Sequence, residues 1–268
     1  MTRLAATTLA TRFAAINGVT IGYSESGAGR TVVYAHGLSS SRAAVARASL
    51  SDFSILDERF RYVSYDARGH GESTGTSDPP DYSWASLADD LIELIDFLSP
   101  DAPVTAIGTS MGTGTILHAT LTHPDRFDRL ILTAPPTAWA TRALQTRIYA
   151  ERAAAVERNP ESADEIFAAA PTPPIFRDLP ADPRPPDVPL SLFPTIMQGA
   201  GLSDLPPADE IRTIAQPTLI LAWATDPGHP VDTADKLHDL ILHSRLHIST
   251  TSDDIRSWGD RAVEFLSE

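Results

Sequence analysis

The 268-residue chain contains no cysteine. That excludes disulfides, thiolate metal centres and a cysteine nucleophile. It has no basic run either: 21 Lys and Arg stand against 35 Asp and Glu, a formal charge of −14. Nucleic acid and anionic membrane surfaces both call for clustered cationic side chains, so neither is an expected partner. No window approaches the roughly 18 apolar residues that a spanning helix needs. The opening MTRLAATTLATRF is only faintly like a signal peptide, because Arg12 interrupts it and a strand pattern begins at Phe13. No metal-ligand cluster or dinucleotide fingerprint is present. Gly27-Ala28-Gly29 lacks both a third glycine and a following helix, so no cofactor is expected. A soluble cytoplasmic protein acting on a small molecule remains, its oligomeric state left open.

What is there has an ordinary globular balance, 42% apolar and 21% charged. Residues 12–24 read as a hairpin turning at Asn17-Gly18, a pair that tolerates positive φ. Short apolar runs follow: TVVYAHG (31–37), RYVSYD (61–66), PVTAIG (103–108), RLILTA (129–134), TLILAW (218–223) and RLHIS (245–249). Helical patterns separate them. In 84–98, Leu87, Leu91, Leu94, Ile95 and Leu98 recur at three- and four-residue spacing behind Ser83, a candidate N-cap. Strands alternating with helices imply an α/β fold, a mostly parallel sheet covered on both faces. Residues 137–210 break the alternation, with helical stretches, no convincing strand and nine prolines between 171 and 194. The expected organisation is a core of 1–136 and 211–268, with 137–210 a helical, proline-rich lid over the sheet's C-terminal edge after the sixth strand.

One stretch carries the chemistry: AIGTSMGTG at 106–114. Gly108-Thr109-Ser110-Met111-Gly112 fits G-x-S-x-G directly after a strand pattern and directly before a helical one. A sharp strand-to-helix turn exposes the serine hydroxyl, and the next backbone N–H, from Met111, sits at a helix start where it can hold an oxyanion. HGLSS (36–40), YDARGHGES (65–73) and HPDRFDRLIL (123–132) stand around it in sequence order. With these motifs the chain resembles the α/β-hydrolase fold superfamily over nearly its whole length, and within it the lidded esterase and enol-lactonase branch. The resemblance implies Leu38 as the second oxyanion donor beside Met111. It implies loop-shaping roles for His36, His70 and Asp66, with His36 also counted at the substrate site. A catalytic aspartate of the dehalogenase or epoxide-hydrolase kind is disfavoured, since Ser110 occupies the elbow.

The acid implied by the resemblance is Asp226, in LILAWATDPGHPVD (219–232). The histidine departs from the family pattern. The family presents it after the last strand, whereas this chain has only Thr-Thr-Ser before a helix starting near Ser252. His247 lies inside the last strand and reads as a buried core residue. His118 and His123 ride on the helix after Ser110, and His238 and His243 belong to the penultimate helix and its exit. His229, three residues after Asp226, is the remaining base; alternatively it only packs the turn before Pro230.

The resulting expectation is a serine hydrolase of a small to medium ester, thioester or lactone, working through a Ser110 acyl-enzyme with Asp226 and a displaced base, His229. Two alternatives stand beside it: a non-hydrolytic lyase, condensing or enolate enzyme, and a catalytically silent small-molecule receptor. Trp139, Tyr149, Phe193 and Met197 are candidates for the substrate wall or for the lid's own core. Arg142, Arg147 and Arg177 are positioned to attract a carboxylate or to remain solvated.

Overall fold

A computed structural model describes residues 9–48, 50–169, 171–179 and 185–268; most of the segment compared with a signal peptide lies outside the described residues. Asn17 and Gly18 take φ of 43° and 78°. This is the two-residue turn that folds β1 (Arg12–Ile16) back on β2 (Val19–Ser26). Next come β3 (Thr31–Ala35), α1 (Arg42–Ala48), β4 (Arg61–Tyr65), α2 (Trp84–Leu98), β5 (Val104–Thr109), α3 (Met111–Thr122) and β6 (Phe127–Thr133). Four helices follow without a strand: α4 (Arg142–Arg158), α5 (Ala163–Ala168), α6 (Phe193–Gly201) and α7 (Ala208–Ile211). The chain closes with β7 (Thr218–Trp223), α8 (Val231–Leu240), β8 (Ser244–Ser249), α9 (Ser252–Arg256) and α10 (Trp258–Leu266).

The eight strands form one sheet in the order β1-β2-β4-β3-β5-β6-β7-β8. β2 is antiparallel to both neighbours, and every pairing from β4 to β8 is parallel. Side chains alternate across it, as strand geometry requires. Val33, Ala35, Ala106, Leu132 and Ile220 face α2, α3 and α8. Val32, Tyr34, Ile107, Ile131 and Leu221 face Phe53, Leu56, Trp258 and Phe265. Parallel strands buried on both faces explain the near-continuous apolar runs. Ser83 caps α2 by accepting the Ser86 N–H at 3.2 Å. α9 begins at Ser252, where the sequence places a helix start, and is capped by Thr251, whose hydroxyl accepts from the Asp254 N–H at 3.2 Å.

The helical insert between β6 and β7 has a core of its own, in which Ala153, Val156, Phe193, Ile196 and Met197 close on Tyr82. Arg142 ties it to the sheet-bound helices. This buried guanidinium donates to the Ser203 and Ala200 carbonyls at 2.7 Å each and lies 4.3 Å from the Trp84 ring centroid. Arg142 is therefore structural, and is not the carboxylate-attracting group considered from the sequence. No helix among the described residues is long and apolar enough to cross a membrane.

Candidate active site

Ser110 stands between the end of β5 and the start of α3, with φ 55° and ψ −107°, a strained conformation for a non-glycine residue. Its surroundings hold it there. The Ser110 N–H donates to the Thr133 carbonyl at 3.0 Å. The Thr113 hydroxyl reaches the Gly108 and Thr133 carbonyls at 2.8 and 3.0 Å. Thr109 and Thr133 share a 2.6 Å hydroxyl contact, and Tyr34 reaches Thr109 at 3.0 Å. Burial pushes the Tyr34 hydroxyl up to about 12, so it stays a neutral partner. Both flanking glycines are sterically required. A Cβ on Gly108 would fall 2.4 Å from the Gly112 carbonyl oxygen, and one on Gly112 would fall 2.2 Å from that of Ala35.

Two backbone N–H groups border the serine. Met111 is the first residue of α3, where N–H groups have no intrahelical acceptor. Leu38 follows β3 and lines the same cavity as Ser110. Its loop is pinned by His36, which accepts the Ala67 N–H at 2.9 Å and donates through Nδ1 to the Gly37 carbonyl at 2.8 Å.

Across the cleft, β7 delivers the loop 224–230. Asp226 Oδ2 accepts from the Trp223 indole N–H at 3.0 Å and from His229 Nδ1 at 2.7 Å, while Oδ1 accepts the Gly228 N–H at 2.9 Å. Burial pushes the Asp226 carboxyl up, but the His229 hydrogen bond and charge, with the Gly228 and Trp223 donors, outweigh it and hold the carboxyl below its usual range. An ionised carboxylate only accepts, so Nδ1 carries the imidazole proton and Nε2 is left as an acceptor. Nε2 lies 2.8 Å from Ser110 Oγ, which donates to it. Serine, imidazole and carboxylate form one continuous hydrogen-bonded chain.

The other histidines are placed elsewhere. His247 is half-buried, less deep than expected for it, and pairs with Asp254 at 2.9 Å. His118 contacts the Asp204 carbonyl at 3.0 Å, His123 the Thr122 hydroxyl at 3.0 Å and His238 the Ser244 hydroxyl at 2.8 Å. His70 is fully buried, with Nδ1 donating to the Arg68 carbonyl at 2.8 Å. Asp66 braces its loop, accepting the Arg42 and Glu72 N–H groups at 2.8 and 3.0 Å.

Ser110 and His229 open into a cavity of about 1360 Å³, whose wall includes Leu38, Tyr149, Phe193 and Met197. Two substrate-wall candidates are corrected. His36 is 1% exposed and spends both ring nitrogens on backbone groups, so it does not reach the cavity. Trp139 turns away: its indole N–H donates to the Pro206 carbonyl at 3.0 Å, and Lys236 Nζ lies 4.2 Å from its ring centroid. Sequence reasoning passed over Trp223, which the strand pattern concealed, although it stands three residues before Asp226. It also passed over Arg47 and Arg152, which line the cavity.

A family model described as alpha/beta hydrolase fold matches residues 30–253. The protein called "Putative carbamate hydrolase RutD" in Caulobacter sp. strain K31 is 34% identical over 96 residues, 35% of each chain. The match thus spans about a third of that relative's length. A hydrolase from Pseudomonas aeruginosa PA01 superimposes with a TM-score of 0.78 at 21% identity, over 96% of this chain and 98% of that one. The enol-lactonase from Burkholderia xenovorans LB400 gives 0.69 at 22% identity, over 96% and 100%. At such identities these structures share the fold.

Proposed function

The chain belongs to the α/β-hydrolase fold family, and from that premise we propose that it is a serine hydrolase of small to medium esters or lactones. The reading rests on one observation: His229 bridges Ser110 Oγ at 2.8 Å and Asp226 Oδ2 at 2.7 Å. Ser110 Oγ attacks the substrate's carbonyl carbon while its proton passes to His229 Nε2. The negative charge that forms on the carbonyl oxygen is held by the Leu38 and Met111 N–H groups, for which no acceptor occurs among the described residues. Asp226 stabilises the imidazolium. As the tetrahedral adduct collapses, His229 returns the proton to the departing oxygen and the acyl group stays on Ser110. His229 then deprotonates a water, hydroxide adds to the acyl carbon, and Ser110 leaves as the restored alcohol. The His229 side chain is 23% exposed, which gives that water a route in.

A thioester or carbamate carbonyl undergoes the same addition, so the relative named for a carbamate fits within this chemistry. The helical insert acts as the lid, its helices α4 and α6 supplying Tyr149, Phe193 and Met197 to the wall. A silent receptor has no use for an aligned triad behind a strained serine.

The test is covalent labelling by a fluorophosphonate, read by intact mass. Labelling of wild type, none of Ser110→Ala and labelling of His229→Ala slowed by ~10²–10⁴-fold is the expected pattern. An unlabelled wild type retires the proposal.

A further inference from the structure

On the hydrolase reading above, we propose that the site takes a substrate that carries a carboxylate remote from the scissile bond. The cavity that opens on Ser110 and His229 is lined by four arginines, Arg47, Arg147, Arg152 and Arg177, in a chain of net charge −14. They come from separate places: α1, α4 and the turn 174–177. Among the described residues the only carboxylates in that wall are Asp187 and Asp226. Both are engaged, Asp226 by His229 and Trp223, and Asp187 by Arg47 at 3.7 Å and by the Ser41 hydroxyl. The guanidinium groups of Arg147, Arg152 and Arg177 have no ion-pair or hydrogen-bond partner among the described residues.

Several arginines elsewhere are neutralised: Arg61 meets Glu25, Arg68 meets Asp90 at 2.7 Å and Arg126 meets Asp96 at 2.9 Å. A cleft holding uncompensated charge of one sign concentrates ligands of the opposite sign. The charge also adjoins an apolar stretch. Leu144, Ile148 and Arg152 follow one another at four-residue spacing along α4 and all face the cavity. Such a stripe suits a ligand with a short aliphatic middle and an anionic end, as in a half-ester of a dicarboxylic acid. Guanidinium groups match carboxylates in geometry as well as charge.

The experiment compares monomethyl adipate, one negative charge, with neutral dimethyl adipate. Binding to Ser110→Ala by calorimetry avoids turnover. Because Arg147 and Arg177 are exposed and Arg152 half-buried, each contributes little, and a roughly tenfold tighter grip on the monoanion is expected. That preference should shrink at about 0.5 M salt, where the screening length is only a few ångströms. It should vanish when Arg147→Gln, Arg152→Gln and Arg177→Gln are added to Ser110→Ala. The same triple variant with Ser110 retained is labelled by the fluorophosphonate, which reports that the site is intact. Equal affinities, tighter binding of the diester, no binding of the monoester, or a preference that survives in the triple variant overturns the proposal. Labelling of wild type alongside any of those results leaves hydrolysis standing and removes only the anionic substrate. An unlabelled wild type that prefers the monoanion does the reverse.

Discussion

His229 Nδ1 lies 2.7 Å from Asp226 Oδ2, and the two residues are only three apart in one loop. Carboxylate and imidazole are therefore set by a single tight turn. Its Gly228 N–H returns to Asp226 Oδ1 at 2.9 Å, and its Gly228 carbonyl accepts the Thr137 N–H at 3.1 Å. The imidazole keeps its tautomer and aim through local backbone geometry. The segment between β8 and α9, Thr250 and Thr251, is left without a part in that chain of hydrogen bonds.

Asp226→Asn is expected to lower kcat by ~10³–10⁴-fold, because an amide does not hold the Nδ1–H tautomer. His247→Gln should keep kcat within about twofold, a surface-type change outside the triad. Hydrolysis of an aryl butyrate measures both. Comparable losses in the two variants would place the base at His247.

Trp223→Phe removes one N–H donor from Asp226 Oδ2 while keeping a ring against His229, whose centroid is 5.3 Å away. A hydrogen bond to a charged group contributes about 1.5–3 kcal/mol, so kcat should fall by about tenfold or more with KM little changed. An unaltered kcat would show that the indole only packs.

Gly112→Ala places a Cβ 2.2 Å from the Ala35 carbonyl oxygen. Relief requires β3 and α3 to separate, and the expected cost is about 1–3 kcal/mol, as for other overpacked cores. Chemical denaturation measures the loss; an unchanged midpoint would contradict the close approach of helix and strand.

His70 gives stability a pH dependence. Burial, then the neighbouring His36, pushes its pKa down to about 3, whereas an unfolded histidine titrates near 6.5. Between those values only the unfolded chain takes the proton, so stability falls as pH drops from about 6.5 towards 3. The slope from this one group approaches about 1.4 kcal/mol per pH unit, and above pH 6.5 it contributes none. Burial lowers His36 in the same sense. His70→Gln should therefore flatten the slope without abolishing it. Urea titrations at pH 7.5, 6 and 5 provide the comparison, and an unchanged slope in the variant would assign the acid sensitivity elsewhere.

Much of this molecule was decided locally, and that part was legible in the residues. Alternating β and α periods implied a mostly parallel sheet. Asn17-Gly18 marked the first hairpin. Glycines on either side of Ser110 announced a sharp strand-to-helix turn, because only a missing Cβ lets Gly112 approach Ala35. Each of these signals lies within a few residues of the feature it specifies. Asp226 and His229 were legible as a pair for the same reason, their contact being a property of one turn.

Whether that pair meets a serine 119 positions away is a different matter, set by the adjacency of β5, β6 and β7 in the sheet. Elimination along the sequence singled out His229 among eight histidines but did not decide between a base and a residue packing its turn. Its 2.8 Å contact with Ser110 depends on the sheet as a whole. So does the direction of each side chain on the insert. Trp139 turns to Lys236 and Pro206, Arg142 is buried against Trp84, and Arg152 is left in the cavity wall without a partner among the described residues. Tryptophan and arginine serve equally well in a core, a rim or a site. Composition and spacing leave that choice open, and packing against distant segments makes it.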